Sequence, residues 1–395
     1  MRKLVILGST GSIGVQALEV VAASDALRVV GLAAGSDSDS LLAQARDHGV
    51  PRVALADAGA AKRAAAEWGG EVLAADEGLR ALVADSEADL VLNAIVGAAG
   101  LGPTIVALSA GIDVALANKE SLVVGGELVS ALAEATDSQL IPVDSEHSAL
   151  HQLIRGEGPG TVERLVLTAS GGPFRGRTEL GEVTREEALA HPTWEMGGKI
   201  TIDSATLINK GLELIEAHHL FGIPYAQIDV VVHPQSIVHA VVHLNDGASL
   251  AHLGYPDMRV PISYGLHYPE RVDVAAPLLD LVAVGELTFE EPDLTTFPCL
   301  RLAREAGEAG GTAPCVLNAA NEVAVSAFLE GRIPFVGIAA VIEESLDSLP
   351  LTDPGHFDDL FAADEEARRR AGELVERLGP ALAGTGGNGS PSESA

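Results

Sequence analysis

The sequence predicts an α/β protein with three parts: an N-terminal parallel sheet, a central α+β domain and a C-terminal helical domain. Short apolar runs alternate with helix-like stretches from residue 3 to about 145. From 163 to about 270 the strand-like runs look mixed or antiparallel, and from about 299 onward the apolar periodicity is helical. A chain of 395 residues is long enough for two or three such domains.

The composition is that of a globular protein, with 47% hydrophobic and 21% charged residues. With 25 basic residues against 56 acidic ones, the net charge of -31 argues against a nucleic acid partner or an anionic membrane surface. The N-terminus shows no secretory signal, and no apolar run is long enough for a membrane helix. Cys299 and Cys315 offer neither a disulfide framework nor a zinc ligand set. We expect a cytoplasmic protein.

The N-terminal sheet is predicted from a series of nearly continuous apolar runs. Because they are separated by helical stretches, such as 12–24, they favour parallel strands covered on both faces. The predicted strands are 4–8, 28–35, 52–56, 89–97, 113–117 and 140–144.

The first strand leads into the glycine loop GSTGSIG, which contains Gly8, Gly11 and Gly14. Glycines at such a junction allow a tight turn, close backbone approach and an open helix N-terminus, which together bind a pyrophosphate. The GxxGxxG spacing is not the commonest one, but it lies at the first βα junction. We therefore expect a Rossmann-like dinucleotide-binding domain.

The end of the second strand bears on the choice of cofactor. Gly35 and Ser36 occupy the point where an acid would bind the ribose of NAD, and Asp37 follows them. The nearest downstream base is Arg46. These residues favour NADP over NAD only mildly.

Two further strand ends carry charged groups. In PVDSEHSAL (142–150), a strand would point Asp144 and Glu146 the same way, roughly 6 to 7 Å apart, which favours a divalent ion between them. The alternative is a solvated strand end. In ANKE (117–120), Lys119 follows a strand and could meet an anion or form a surface Lys–Glu pair.

The central region contains a candidate phosphate site. Ser170 in TASGGPF, together with Ser204, Asn209 and Lys210 in IDSATLINKGLELIEA, supplies hydroxyl and amide donors with one cation. Glu213 lies three residues after Lys210, so the two share a helical face.

HPTWEMGGKI (191–200) is predicted to be a flexible loop. It contains a large apolar residue, Trp194, that looks exposed, together with Met196. We interpret it as a lid over the substrate. An aromatic anchor on its own domain is the alternative.

Taken in order, these segments resemble the 1-deoxy-D-xylulose 5-phosphate reductoisomerase family, over about residues 1 to 345. The segments that carry the resemblance are GSTGSIG, ANKES, PVDSEHSAL, TASGGPF, HPTWEMG, DSATLINKGLE, IDVVVHPQSIVHA and LNAANEVAV. The resemblance implies rearrangement and NADPH-dependent reduction of 1-deoxy-D-xylulose 5-phosphate to 2-C-methyl-D-erythritol 4-phosphate for isoprenoid biosynthesis. It also implies Mn²⁺, Mg²⁺ or Co²⁺ as the metal, and a homodimer.

The family pattern divides the chain and assigns residues. The expected parts are an NADPH domain (1–145), a catalytic domain (146–268) with a flap (191–200), a linker (269–298), a helical domain (299–380) and a disordered tail (381–395). The implied metal ligands are Asp144, Glu146 and Glu213. The implied substrate or catalytic residues are Lys119, Ser145, Glu146, Ser170, His191, Ser204, Asn209, Lys210 and Glu213. The implied NADPH residues are Thr10, Gly11, Ser12, Ile13, Gly35, Ser36, Asn118, Glu120 and Gly197.

The sequence departs from the family pattern at Glu195, where most relatives carry a small residue, and at Gly198, where they often carry a basic one. Asp37 would lie near the adenosine ribose, which disfavours a 2′-phosphate there. Two other classes are weighed as alternatives, and the sequence disfavours both. A semialdehyde dehydrogenase would need a cysteine nucleophile in mid-chain, but both cysteines lie beyond residue 298. A non-catalytic nucleotide or sugar-phosphate sensor should lack a complete set of metal ligands, but Asp144, Glu146 and Glu213 are all present.

Overall fold

The computed structural model describes residues 1–194 and 196–383, with side chains up to residue 379. The chain forms two compact units, each built from two separate stretches. The first unit contains Met1–Thr168 and Glu216–Glu290, and the second contains Ala169–Ile215 and Glu291–Ala395. Glu195 of the predicted flap and residues 384–395 of the predicted tail lie outside the described residues.

The strands form two sheets. They are β1 (Arg2–Leu7), β2 (Leu27–Ala34), β3 (Arg52–Leu55), β4 (Glu71–Ala74), β5 (Leu90–Asn93), β6 (Asp113–Leu116), β7 (Leu140–Pro142), β8 (Val162–Ala169), β9 (Ile228–Val232), β10 (Val238–Leu244) and β11 (Ser249–Leu253).

The helices include long and very short ones. They are α1 (Ser12–Ala22), α2 (Ser38–Asp47), α3 (Ala58–Glu67), α4 (Ala75–Ala84), α5 (Leu101–Ser109), α6 (Glu120–Thr136), α7 (Ser145–Ile154), α8 (Arg185–Leu189), α9 (Gly198–Ala205), α10 (Ile208–Phe221), α11 (Arg259–His267), α12 (Leu281–Val284), α13 (Cys299–Ala309), α14 (Ala313–Leu329), α15 (Gly337–Ser348) and α16 (Phe357–Ala383). None of the described helices is long and apolar enough to cross a membrane.

The first sheet of the first unit has seven parallel strands in the order β4-β3-β2-β1-β5-β6-β7. Leu4, Ile6, Leu32, Leu90 and Leu92 are completely buried in one cluster. Because all of these strands except β4 are mostly buried, they read as continuous apolar runs, and the parallel pairing confirms the predicted sheet. The strand order reverses between β1 and β5, and such a switch point opens a crevice at the carboxyl ends of the strands.

The second sheet has the order β11-β10-β8-β9, and β10 pairs antiparallel with both β8 and β11. This confirms the predicted change to antiparallel strands. The predicted linker contains α12, and its Glu290 forms an isolated antiparallel bridge with Val232.

Helices dominate the C-terminal part of the second unit, as the periodicity predicted. There α14 packs against α13, α15, α16 and α9. Cys299 and Cys315 are free and buried, and burial raises the pKa of each thiol to about 12. Each compact unit combines two stretches that are distant in sequence, whereas each of the five predicted parts of the chain is one continuous stretch. The boundaries of those five parts stay a prediction.

Candidate active site

The glycine loop between β1 and α1 leaves no room for side chains at two positions. A Cβ atom at Gly8, where φ is +80°, would lie 2.5 Å from the carbonyl oxygen of Ala94, and one at Gly14 would lie 2.3 Å from that of Gly8. Gly11 is the N-cap of α1 and, like Ser12, is exposed. Thr10 and Ile13 are half-buried. The open first turn of α1 has the form that accepts a phosphate group.

Gly35 and Ser36 follow β2 and are exposed. The next residue, Asp37, is the N-cap of α2, and its carboxylate accepts a hydrogen bond of 3.1 Å from the amide of Ser40. Hydrogen bonds from the Ser40 side chain and amide lower the pKa of the Asp37 carboxyl. Asp37 therefore has a structural role that the sequence reasoning missed.

The ANKE segment joins β6 to α6 and is buried. The side-chain nitrogen of Asn118 donates to the carbonyl oxygens of Ile95 (2.7 Å) and Gly97 (2.9 Å) and to the Glu120 carboxylate (3.1 Å). A Cβ atom at Gly100 would lie 2.2 Å from the Asn118 side-chain oxygen. The Asn118 side chain thus fixes the loop that follows β5.

Lys119 is buried and forms an ion pair with Asp144. The alternative of a surface Lys–Glu pair is therefore wrong, because Lys119 does not lie at the surface. Because β6 and β7 are adjacent parallel strands, the residues that follow them meet at the same edge of the sheet.

The predicted geometry of the acidic segment is also wrong. β7 ends at Pro142, Asp144 is the N-cap of α7, and Ser145 and Glu146 already belong to its first turn. Ser145 Oγ donates a 2.6 Å hydrogen bond to Glu146. The side chains of Asp144 and Glu146 are set by a strand-to-helix turn, not by strand alternation.

Two residues near this turn were missed by the sequence reasoning. His147 and Glu216 are completely buried, with His147 Nδ1 3.5 Å from Glu216 Oε2. Ligand atoms of Asp144, His147 and Glu216 lie within 4.8 Å of one another and could hold a metal ion. The available signal was spacing, because His147 lies three residues after Asp144, and Glu216 lies three residues after Glu213.

In the second unit, the TASGGPF loop brings two predicted residues together. Ser170 Oγ lies 3.0 Å from His191 Nε2, and burial lowers the pKa of His191, which favours a neutral imidazole. A Cβ atom at Gly172, where φ is +67°, would lie 2.7 Å from the carbonyl oxygen of Ser204. The loop therefore also lies directly against the Ser204 backbone.

The N-terminal half of α10 carries the remaining predicted residues. Asn209 donates a 2.5 Å hydrogen bond to Glu213, and Lys210 forms an ion pair with the same carboxylate. This pairing confirms the predicted shared face of Lys210 and Glu213. Since α10 is one continuous helix, Glu213 lies one turn before Glu216.

The predicted flap is only partly a loop. Gly197 is the exposed N-cap of α9, so Gly198, Lys199 and Ile200 are helical. Trp194 and Met196 are half-buried, and Trp194 N donates a 2.9 Å hydrogen bond to His191 Nδ1. His191 thereby ties the first part of the loop to Ser170.

Comparison with family models gives three matches along the chain. Residues 4–126 match the 1-deoxy-D-xylulose 5-phosphate reductoisomerase model, 140–221 match its C-terminal domain model, and 253–370 match a DXP reductoisomerase C-terminal domain model.

Relatives with this name cover almost the whole chain. The Symbiobacterium thermophilum protein is 53% identical over 386 residues, 95% of this chain and 99% of its own length. A Xanthomonas campestris pv. campestris relative is 51% identical over 93% of this chain and 96% of its own length.

Solved structures agree with this result. The Zymomonas mobilis enzyme in complex with NADPH has a TM-score of 0.86 and 42% identity, covering 95% of this chain and 99% of its own. A DOX-P reductoisomerase in complex with NADPH, fosmidomycin and magnesium has a TM-score of 0.91 and 39% identity, covering 96% and 99%. This chain belongs to the 1-deoxy-D-xylulose 5-phosphate reductoisomerase family.

Proposed function

We propose that this protein converts 1-deoxy-D-xylulose 5-phosphate into 2-C-methyl-D-erythritol 4-phosphate, using NADPH and a divalent metal ion. The observation that carries the proposal is the arrangement of the first sheet. The glycine cradle after β1, buried Lys119 after β6 and the acidic turn after β7 all follow the carboxyl ends of parallel strands.

The cradle fits a dinucleotide. The space beside Gly8 and Gly14 excludes any side chain, so backbone amides can approach a pyrophosphate closely. Bound NADPH would supply the hydride that reduces the rearranged aldehyde. Thr10, Gly11, Ser12 and Ile13 would hold the pyrophosphate.

Gly35 and Ser36 are proposed to meet the adenosine ribose and its 2′-phosphate. The Asp37 carboxylate accepts a hydrogen bond from the amide of Ser40, so its negative charge caps the N-terminus of α2. Asn118 and Glu120 would contribute through the loop they stabilise after β5, and Gly197 through its exposed backbone.

Asp144, Glu146 and Glu213 are proposed as the metal ligands. Oxygen donors of this charge suit Mg²⁺ or Mn²⁺, and the turn at the start of α7 presents the first two together. Glu213 is supported by its place one turn before Glu216, which lies near Asp144. A bound ion would polarise the ketone and stabilise the oxyanion that develops as the carbon–carbon bond moves.

The second unit is proposed to hold the substrate phosphate. Ser170, Ser204 and Asn209 offer neutral donors, and Lys210 offers a cation on a buried helix start. His191 would contact the substrate as a neutral imidazole, because its desolvation disfavours the charged form.

We propose that groups near the acidic turn donate protons and hydrogen bonds to the substrate. Lys119 can donate to a substrate oxygen when its ammonium is released from Asp144, and Ser145 can turn its hydroxyl from Glu146 to the substrate. Closure of the predicted flap would exclude water from the aldehyde.

Product analysis tests the reaction. Purified protein is incubated with 1-deoxy-D-xylulose 5-phosphate, NADPH and Mg²⁺, and the product is identified by ¹³C NMR while NADPH absorbance is followed. We expect one branched polyol phosphate formed per NADPH oxidised. An unbranched reduced sugar would indicate an ordinary ketose reductase and overturn the proposal.

We also propose a cytoplasmic homodimer that can use Mn²⁺. Two free, buried thiols are compatible with a reducing compartment. In the first unit, β11 is an edge strand, and Asp280 N donates a 3.4 Å hydrogen bond to Tyr255 Oη just after it. The segment around Asp280 exposes Leu278 by 94% and Val282 by 91%. Exposed apolar side chains beside an unpaired strand edge favour association with a second copy.

A further inference from the structure

The LNAANEVAV segment (317–325) lies on α14, and its two asparagines have no part in the proposed reaction. Asn318 and Asn321 are both 0% exposed. A buried amide destabilises a fold unless its polar atoms are hydrogen-bonded, so each asparagine requires an explanation.

Asn321 reaches from α14 to α9. Its Nδ2 donates a 2.9 Å hydrogen bond to Oδ1 of Asp203, which is 1% exposed, and Lys199 Nζ lies 2.9 Å from the other Asp203 oxygen. Asn321 Oδ1 is buried without a hydrogen-bond partner among the described residues. Because the Asp203 carboxylate accepts hydrogen bonds and cannot donate them, the amide must direct its nitrogen, not its oxygen, at Asp203.

The position of α9 matters for the substrate site. Its N-terminus at Gly198 lies within the predicted flap (191–200), and Ser204 is the residue after Asp203. After α9 the chain passes through Leu207, a non-glycine residue with φ of +62°. The helix α10 begins at the next residue, and Asn209 lies in its first turn. Rotation of α9 would move Ser204 and one end of the flap together.

We propose that Asn321 and Asp203 are positioning residues that fix the rotation of α9 and so place Ser204 for the substrate phosphate. This inference rests on the proposed function, in which Ser204 binds that phosphate. The buried hydrogen bond acts across two packed helices, and Lys199 balances the charge of the carboxylate from within α9.

Asn318 provides a matched control. It lies on the same helix and is equally buried, but its Nδ2 donates to Glu322 (2.9 Å), which also accepts a hydrogen bond from Arg368 of α16. Substitution of Asn318 removes an equivalent amide without removing a hydrogen bond to α9.

The test compares Asn321→Leu with Asn318→Leu. We expect Asn321→Leu to raise KM for 1-deoxy-D-xylulose 5-phosphate about tenfold, because a displaced donor weakens phosphate binding, while Asn318→Leu changes it less than about twofold. Both variants should lose thermal stability. Equal KM values in the two variants would overturn the proposal.

Exchanging the two residues distinguishes loss of this hydrogen bond from a general loss of stability. Asp203→Asn with Asn321→Asp rebuilds the amide–carboxylate hydrogen bond in reverse, so KM should return to within about threefold of the wild-type value. A swap variant with the KM of Asn321→Leu contradicts the proposal. If Asn321→Leu does not fold, the comparison is made with Asn321→Ser, which leaves a shorter side chain.

Hydrogen exchange gives a readout that does not need turnover. Amides of residues 198–205 should exchange faster in Asn321→Leu than in Asn318→Leu, measured on the full chain. Unchanged exchange in α9 would overturn the anchoring role. If the wild type were inactive but hydrogen exchange in α9 still increased in Asn321→Leu, the proposed function would be wrong. The proposed role of Asn321 in fixing α9 would still be supported.

Discussion

Two largely buried carboxylates, those of Asp144 and Glu213, mark the candidate active site at the scale of single residues. Asp144 pairs with Lys119, and Glu213 is contacted by both Asn209 and Lys210. Buried carboxylates are costly unless cations or donors surround them, and replacing one partner usually destabilises or inactivates the site. These carboxylates therefore combine charge with a preset orientation.

Glu213→Gln tests the metal role of this residue. The substitution keeps the shape but removes the charged ligand, so kcat should fall by on the order of a hundredfold or more at saturating Mn²⁺. The measurement is NADPH oxidation, with Glu134→Gln on the exposed side of α6 as the charge-matched control. Near-normal kcat in Glu213→Gln would remove it from the ligand set.

His219 makes stability depend on pH. Burial, with the neighbouring charge of His218, lowers the pKa of His219 from 6.5 to about 4, so the unfolded chain binds this proton more readily. Stability should fall as the pH drops below 6.5, by roughly 1.5 kcal/mol down to about pH 5 from this residue. Urea titrations of wild type and His219→Gln should diverge over this window, and parallel curves would contradict the assignment.

At the scale of elements, the parallel strands were predictable because both faces are buried and the apolar runs are uninterrupted. β4 was missed because its four residues are half-exposed or exposed and carry no such signal. The acidic segment was misread because Asp144 and Glu146 sit where a strand gives way to a helix, and boundaries depend on tertiary contacts. His147 and Glu216 were missed because their proximity arises only in the fold.

Gly14→Ala tests the cradle between β1 and α1. A Cβ atom there would lie 2.3 Å from Gly8 O and 2.4 Å from Ser9 Cα, so the turn must shift. We expect NADPH affinity to fall at least about tenfold. Fluorescence titration with NADPH measures this fall.

Gly69→Ala is the control, because this exposed glycine lies outside the cradle and its added Cβ would meet nothing within 4 Å. Its effect on NADPH affinity should be much smaller. Equal affinities for the two variants would show that the tight backbone approach at Gly14 is not needed for cofactor binding.

At the scale of the whole molecule, the net charge of -31 makes two copies of the chain repel each other. Association therefore depends on contact between exposed apolar side chains. A double variant, Leu278→Asp with Val282→Asp, should shift the protein from dimer to monomer in light scattering, because two apolar side chains would become charged. Leu351→Asp, at another exposed leucine, is the control. A wild type that runs as a monomer would contradict the proposed dimer.

The most direct test of the proposed reaction is its joint dependence on substrate and metal. Protein stripped with a chelator is assayed for NADPH oxidation with 1-deoxy-D-xylulose 5-phosphate, before and after Mn²⁺ is restored. The proposal predicts negligible turnover without metal and full turnover with it, only when the sugar phosphate is present. No turnover from folded protein with all three components would contradict it.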